Sequence, residues 1–342
     1  MNAQTSIQTT VVPALLERLR VPQLRFRPAT AARDAWLLAD IYNRSMAADR
    51  IDRATTADSI TAIQRALPHC DPARDMLLAE VADEAVGFVS LCWGRERSGT
   101  VVFRHMAALV PEWRRRGIGA AMLQQAHAGL RQIAGALGMG RSAYLQAVAA
   151  DGQTGLLVLL LQEGYIAVRH TALLVRRDLG NIPLQPLPER LEVRELQAHE
   201  YRALWDARHE ALRDRWGQVQ PEDGDFSRWL EGLGDQHGLW QTAWDGEQIA
   251  GAALARIDHA ENANFLRRRG LTQEVWVRPR WRRRGLAKAL VTRGLRALAA
   301  HGMTEAALEV DVESPHGAPQ LFKRLGYQPA RRATIYRRPL HG

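Results

Sequence analysis

Two tandem mixed α/β domains of one kind, each built on a mixed sheet, are expected from this sequence, and three observations point there. The chain has 342 residues, the length of two ordinary domains. Hydrophobic residues make up 46% and charged residues 24%, the usage of a chain able to bury real cores rather than a disordered or fibrous one. The segment at 111–121, Pro-Glu-Trp-Arg-Arg-Arg-Gly-Ile-Gly-Ala-Ala, returns at 279–289 as Pro-Arg-Trp-Arg-Arg-Arg-Gly-Leu-Ala-Lys-Ala. A second Trp-Arg-Arg-Arg-Gly would arise by chance only about 0.002 times in this composition, so the recurrence is a duplication. The flanks agree in order: Ala-Val-Gly-Phe-Val at 85–89 answers Ile-Ala-Gly-Ala-Ala at 249–253, and Gln-Glu-Gly-Tyr at 162–165 answers Arg-Leu-Gly-Tyr at 324–327.

Each copy opens on a short alternating strand, 24–27 and 191–194, followed by Ala/Leu/Trp-rich stretches of helical spacing. A hairpin comes next: 76–81, an Asp83-Glu84 turn and 86–92 in the first copy, then 239–243, Asp245-Gly246 and 248–255 in the second. Residues 275–277 form a strand, Arg-Arg-Arg-Gly a turn, and 286–300 a long helix with an apolar face. A strand at 305–312, a helix at 319–325 and a strand at 334–337 complete the second copy. Pro183, Pro186, Pro188 and Gly180 neither propagate a helix nor hold a central strand. They place a linker at 179–190 between domains at 23–178 and 191–342, with 1–22 as an N-terminal extension. The linker is too short and apolar for a free tether.

The formal net charge is +9, and all but Lys288 and Lys323 of the 46 basic residues are arginine. Genomic codon bias accounts for most of that excess, but guanidinium forks also suit phosphates. Nucleic acid is not expected as a partner, because neither a recognition helix nor an aromatic-interleaved RNA motif accompanies the charge. Cys70 and Cys92 are the only cysteines and lack metal-type spacing, so no metal is expected and a reducing compartment is. With no signal-peptide pattern and no apolar run of eighteen, the expectation is a cytoplasmic protein without a membrane partner.

A strand that runs into Arg-Arg-Arg-Gly at the start of a helix makes a phosphate cradle. The first N–H groups of a helix lack intrahelical partners, and the dipole there favours negative charge. Backbone amides from Arg283 through Gly285, Leu286, Ala287 and Lys288 are therefore expected to hold a diphosphate. Gly285 permits the sharp turn, and Ala287, or Gly119 in the first copy, keeps its path clear. Arg282 and Arg284 are expected to add charged contacts. Nucleotide-hydrolysis and hydride-transfer fingerprints are absent: no G-x-G-x-x-G follows the first strand, and no G-x-x-x-x-G-K-[ST] occurs.

The spacing R-x-x-G-x-G/A, present as Arg114, Gly117 and Gly119 and again as Arg282, Gly285 and Ala287, resembles the acetyl-coenzyme A pyrophosphate loop of the GCN5-related N-acetyltransferases. The resemblance covers nearly the whole chain from about Gln23, as two tandem copies. It implies acetyl-coenzyme A as co-substrate and a small amine as acceptor, in a monomer with an internal pseudo-dimer or in a homodimer. It also implies a backbone donor for the thioester carbonyl at Val277 or its neighbour Val275, and a base at Glu274, in the strand before the loop. The first copy has Met106 at that position, with His105 beside it. The family's tyrosine position holds Phe322 and Leu160, neither with a transferable proton, so Tyr327, Ser314, His316 or water is left to supply the acid, with Tyr327 taken as the candidate side chain. The second copy is thus expected to be catalytic, and the alternative is an acyl-coenzyme A sensor without turnover. Trp216 and the Phe226–Trp229 run suggest an acceptor face suited to an apolar or aromatic amine. Arg267, Arg268 and Arg269 are expected in a hairpin loop within reach of a ribose phosphate.

Overall fold

The computed structural model describes residues 22–67, 69–138, 143–231 and 236–341; residues 1–21 of the expected extension lie outside them. The chain divides into unit 1, residues 1–168 with Ile335–Gly342, and unit 2, Arg169–Thr334. These units and the sequence copies are different divisions, because the last residues of the second copy belong to unit 1.

Unit 1 comprises β1 (Leu24–Pro28), α1 (Ala31–Ala48), α2 (Ala57–Ala66), α3 (Pro72–Asp75), β2 (Met76–Val81), β3 (Glu84–Arg95), β4 (Val101–Leu109), α4 (Ile118–Ala136), β5 (Ala143–Ala150) and α5 (Thr154–Gln162). Strands β1 to β4 pair antiparallel in chain order, and β5 adds in parallel to β4. The expected hairpin at 76–92 forms as β2 and β3, turning through Ala82 and Asp83. Helices α1 and α4 both pack on β3, which is why that strand is apolar almost throughout rather than alternating. Gly87 is needed there: a Cβ would lie 2.9 Å from the Ala108 carbonyl oxygen across the ladder.

The C-terminal residues complete this unit. Tyr336 and Leu340 are buried in its core, and the Leu340 N–H donates to the Ala143 carbonyl. The Arg337 guanidinium, buried, donates to Gln146 Oε1 at 2.8 Å and to the buried Glu96 carboxylate.

A second buried polar group joins β4 to α4. Tyr165 Oη lies 2.7 Å from His105 Nε2 and 2.8 Å from His127 Nε2, and all three side chains are buried. One hydroxyl serves both imidazoles if it donates to one and accepts from the other. His105 is thus a structural residue of a cluster. Thr272 and Leu295 hold the corresponding places around Tyr327 in unit 2. Burial lowers the His105 pKa to about 4 and that of His127 to about 3. The unfolded chain, with imidazoles near 6.5, therefore takes up protons first as pH falls. The stability of unit 1 is expected to be full above pH 6.5 and to fall between there and about pH 4, by on the order of 3 kcal/mol for each histidine. Urea midpoints at pH 7 and pH 5 check this, with His127→Leu expected to flatten the dependence; a wild-type midpoint that does not move with pH contradicts it.

Unit 2 takes up β6 (Ile166–Arg176), from Arg169, and continues with β7 (Glu192–Val193), α6 (Tyr201–Ala211), α7 (Asp225–Glu231), β8 (Gln241–Asp245), β9 (Gln248–Ile257), α8 (His259–Asn264), β10 (Arg269–Val277), α9 (Leu286–Ala300), β11 (Glu305–Asp311), α10 (Ala318–Arg324) and β12 (Gln328–Pro339), the last of these as far as Thr334. Its strand order is β6-β11-β10-β9-β8-β7, with β10 and β11 parallel and the other pairs antiparallel. Helices α6 and α9 both pack on β9 and β10. The helix expected at 286–300 has those bounds. The strand expected from 239 starts at Gln241, because His237–Leu239 forms a 3-10 turn. Residues 177–190 are irregular, with Leu179 and Ile182 buried in the unit's core.

Strand β10 starts at Arg269, six residues earlier than expected, which corrects the placement of the arginine run. Arg269 is buried at the head of that strand and donates to Glu305 at 2.6 Å, while Arg267 pairs with Glu261. These guanidiniums are committed at the end of β10 remote from the Arg-Gly turn and do not form a loop cluster reaching a ribose phosphate.

Candidate active site

Strands β10 and β11 pair over three residues only, Arg269 to Leu271 against Glu305 to Ala307. Both continue beyond that point, to Val277 and Asp311, without pairing to each other. A parallel pair that parts in this way opens a slot lined by main chain. On its other edge β10 stays paired with β9 but carries one extra residue: Thr272 opposes Ala255 and Glu274 opposes Leu254, so Gln273 forms a bulge. Bulges re-aim the neighbouring side chain and are common beside active sites. Gly251 lets β9 approach the strand closely here, since a Cβ would lie 2.7 Å from the Trp276 carbonyl oxygen.

Beyond Val277, Pro279–Trp281 makes a single 3-10 turn, Arg282 is extended, Arg283 has φ +64° and Gly285 has φ +85° at the N-terminus of α9. That last conformation favours glycine. Leu286 is buried and anchors the helix start, while Ala287 and Lys288 are half-buried. Arg283, Arg284 and Gly285 are exposed, and neither arginine has a hydrogen-bond or ion-pair partner among the described residues. The turn therefore presents unpartnered helix N–H groups and two unpaired cations side by side, which fits a diphosphate.

Arg282 has another job. Its Nε donates to the Val277 carbonyl at 3.1 Å, Nη2 to the Ala211 carbonyl at 2.8 Å, and Nη1 to Asp214 Oδ2 at 2.7 Å. Its fork is thus occupied from behind the turn, which corrects the expectation of a direct phosphate contact; it fixes the backbone path that presents the amides. The hydrogen bond from Arg282 holds the Asp214 carboxyl below the usual range. His316 Nε2 lies 3.0 Å from the same carboxylate.

Val275 and Val277 lie half-buried on the parted stretch of β10. Glu274 is there too, one residue past the bulge, and both its oxygens accept from Arg208 of α6, at 2.6 and 2.5 Å. Proton removal by this carboxylate requires that pair to open. Tyr327 is in a different environment: it is 1% exposed, packs edge-to-face on Phe322, and burial pushes its pKa up to about 12. Its hydroxyl lies by Thr272 without a hydrogen bond of ordinary geometry. It is a core aromatic with no open path to a departing thiolate, which corrects its expected role as the acid. Phe322 and Leu160 are both buried at the family's tyrosine position.

Unit 1 repeats the turn, and its β4 and β5 likewise part after four paired residues, but it lacks the bulge and the carboxylate. Arg114 is extended, Arg115 has φ +58° and Gly117 φ +86°, and Arg114 reaches back to Leu109, Ser45 and Asp49 as Arg282 does to its own partners. Strand β4, however, pairs with β3 without a register shift, and Met106 stands half-exposed where unit 2 has Glu274. A Cβ at Gly119 would lie 3.1 Å from Leu159 of α5, and one at Gly152 would lie 2.3 Å from the Asp49 carbonyl oxygen. Neither of these two glycines of unit 1 has room for a side chain.

Parted parallel strands, a bulge, and a glycine turn onto a helix are the features of an acetyltransferase domain. Family comparison bears this out. The acetyltransferase (GNAT) family matches residues 192–327, and a GNAT acetyltransferase domain matches residues 72–154. The chain belongs to the GNAT family, as a tandem of two such domains. Among characterised relatives, it is similar to mycothiol acetyltransferases of Streptomyces scabiei, at 31% identity over 51% of this chain and 59% of that protein, and of Geodermatophilus obscurus, at 27% over 80% and 87%. With the first of these, the match spans under two thirds of the relative's length. In fold it is similar to a GCN5-related N-acetyltransferase from Sphaerobacter thermophilus, with a TM-score of 0.72 at 24% identity, covering 94% of this chain and 97% of that one. It is also similar to a tandem GNAT protein from the clavulanic acid biosynthesis pathway, with a TM-score of 0.69 at 14% identity, covering 93% and 99%. Among the described residues, no helix is long and apolar enough to cross a membrane.

Sequence reasoning missed Arg208, Asp214 and the Gln273 bulge. Only the register of β9 against β10 reveals the bulge, and Arg208 and Asp214 lie 66 and 68 positions from the residues they bind.

Proposed function

We propose that unit 2 is an acetyl-coenzyme A-dependent N-acetyltransferase that moves the acetyl group to a primary amine of a small molecule by direct attack in a ternary complex. The observation that carries this is the conjunction of the slot, the bulge at Gln273 and the unpaired Arg283–Gly285 turn in one unit. The amides from Gly285 to Lys288, with the Arg283 and Arg284 forks, bind the diphosphate; Arg282 holds that turn in place. The main chain at Val275 and Val277 lines the slot and polarises the thioester carbonyl. Glu274 takes a proton from the amine once Arg208 releases it. Water protonates the thiolate, because Phe322 has no hydroxyl and the Tyr327 hydroxyl is buried. Unit 1, which has neither the bulge nor a carboxylate at Met106, serves as a partner domain. The mycothiol acetyltransferases among its relatives make mycothiol's unacetylated precursor one acceptor to test. The cytoplasm is the proposed compartment.

Glu274→Gln is expected to lower kcat about 100-fold or more while calorimetry shows acetyl-coenzyme A binding unchanged. An unchanged kcat removes Glu274 from the mechanism. The missing hydroxyl at both Phe322 and Leu160 favours one other reading, a sensor that binds acyl-coenzyme A without turnover. Tight binding with no thiol release across an amine panel would establish it.

A further inference from the structure

The Arg208–Glu274 pair lies beside the slot of the proposed transfer, and unit 2 alone has it. Glu274 stands on the parted stretch of β10 beside the bulge, and Arg208 reaches it from α6 with a two-pronged contact. Side-chain exposures of 17% and 23% show that the pair is neither sealed in the core nor loose on the surface. Unit 1 has no counterpart, because Met106 stands where the carboxylate would be. The fold therefore does not require an ion pair at this place.

An aromatic group flanks it. The Arg208 guanidinium carbon lies 5.9 Å from the Trp205 ring centroid, and Trp205 in turn packs against Trp229 at 5.2 Å and Phe226 at 6.0 Å. A cation fork and a carboxylate, paired to each other beside an apolar aromatic wall, form a complementary template for a molecule carrying the opposite charges.

Building on the transferase reading above, we propose that Arg208 determines acceptor specificity and that the acceptor is zwitterionic: a carboxylate next to the reacting amine, on an apolar or aromatic body. The acceptor's carboxylate takes the Arg208 fork, and its ammonium meets Glu274. The pair opens only when the acceptor is in place, so the base is released by the substrate that needs it. Glu274 then takes one proton from the ammonium, the nitrogen forms its bond to the acetyl carbon, and the carbon–sulfur bond breaks. The nitrogen's second proton passes through water to the departing sulfur. Arg208 is a binding and positioning residue in this scheme.

Matched acceptors test it on the full chain: L-phenylalanine against phenethylamine and L-tryptophan against tryptamine. Thiol release is followed at saturating acetyl-coenzyme A, and calorimetric binding of the same four compounds is measured with coenzyme A present. Each amino acid is expected to exceed its decarboxylated partner about 10- to 100-fold in kcat/KM and in affinity. Arg208→Gln is expected to bring the two members of each pair together, and Arg208→Lys to restore part of the difference. Equal or better use of the decarboxylated amines, or of mycothiol's precursor over all four, overturns the zwitterionic acceptor and leaves acetyl transfer standing. A preference that survives Arg208→Gln overturns the role of Arg208. Absence of thiol release with every amine overturns the transferase reading instead, and the binding ratios still decide this one.

Discussion

Replacing Gly285 with glutamate is expected to weaken acetyl-coenzyme A binding by at least about 100-fold and to take thiol release below detection, whereas Gly117→Glu leaves both near wild type. A Cβ at Gly285 meets nothing within 4 Å, so the substitution fits sterically. The left-handed backbone costs a side chain roughly 1–2 kcal/mol. A carboxylate at a helix N-terminus returns part of that, so the variant should fold. The same carboxylate competes for the α9 amides and repels a diphosphate. Gly117 has φ +86° against +85° at Gly285, so the two substitutions carry the same left-handed backbone cost and block different turns. Titration calorimetry on both variants reads the outcome; loss of binding in Gly117→Glu alone reverses the assignment of the units.

Ending the chain after Thr334 is expected to unfold unit 1. The deletion removes Tyr336 and Leu340 from its core and Arg337 from Glu96. Arg337→Leu alone should cost about 3–5 kcal/mol, because it strands a buried carboxylate. Among the described residues, Glu96 would then keep the nearby, half-buried Arg104 as its cation. A fragment of residues 23–178, which looks self-sufficient by sequence, lacks the same residues and should not melt cooperatively. Circular dichroism melts of the two truncations test this, and a sharp transition in the 23–178 fragment would contradict it.

What was legible in the sequence was local. The doubled Pro-x-Trp-Arg-Arg-Arg-Gly carries its own turn, because Gly285 and Gly117 supply the positive φ and the apolar face of 286–300 supplies the helix. Gly87 and Gly251 stood out in the flanking repeat for a reason now visible, their close approach to the carbonyls of Ala108 and Trp276. What was not legible depends on distant partners. The sequence marks Arg282 as a phosphate ligand, but Asp214 and two carbonyls claim it. Tyr327 carries a proton in any sequence reading, and only packing against Phe322 shows that it is enclosed. His105 looked solitary because Tyr165 and His127 are 60 and 22 positions away from it. Glu274 was legible by position, and its Arg208 partner was not.

The membership of Ile335–Gly342 in unit 1 has a bearing on how the protein is born. A ribosome releases residues 1–168 first, before Tyr336 and Leu340 of their core have been made. Synthesis of Arg169–Thr334 intervenes, taking roughly ten to thirty seconds at ordinary elongation rates. Through that interval the nascent amino-terminal half waits with apolar surface uncovered, while the half proposed to do the chemistry is free to fold as soon as it emerges. Vectorial synthesis thus reverses the order of completion, and the earlier half is the natural client of a chaperone.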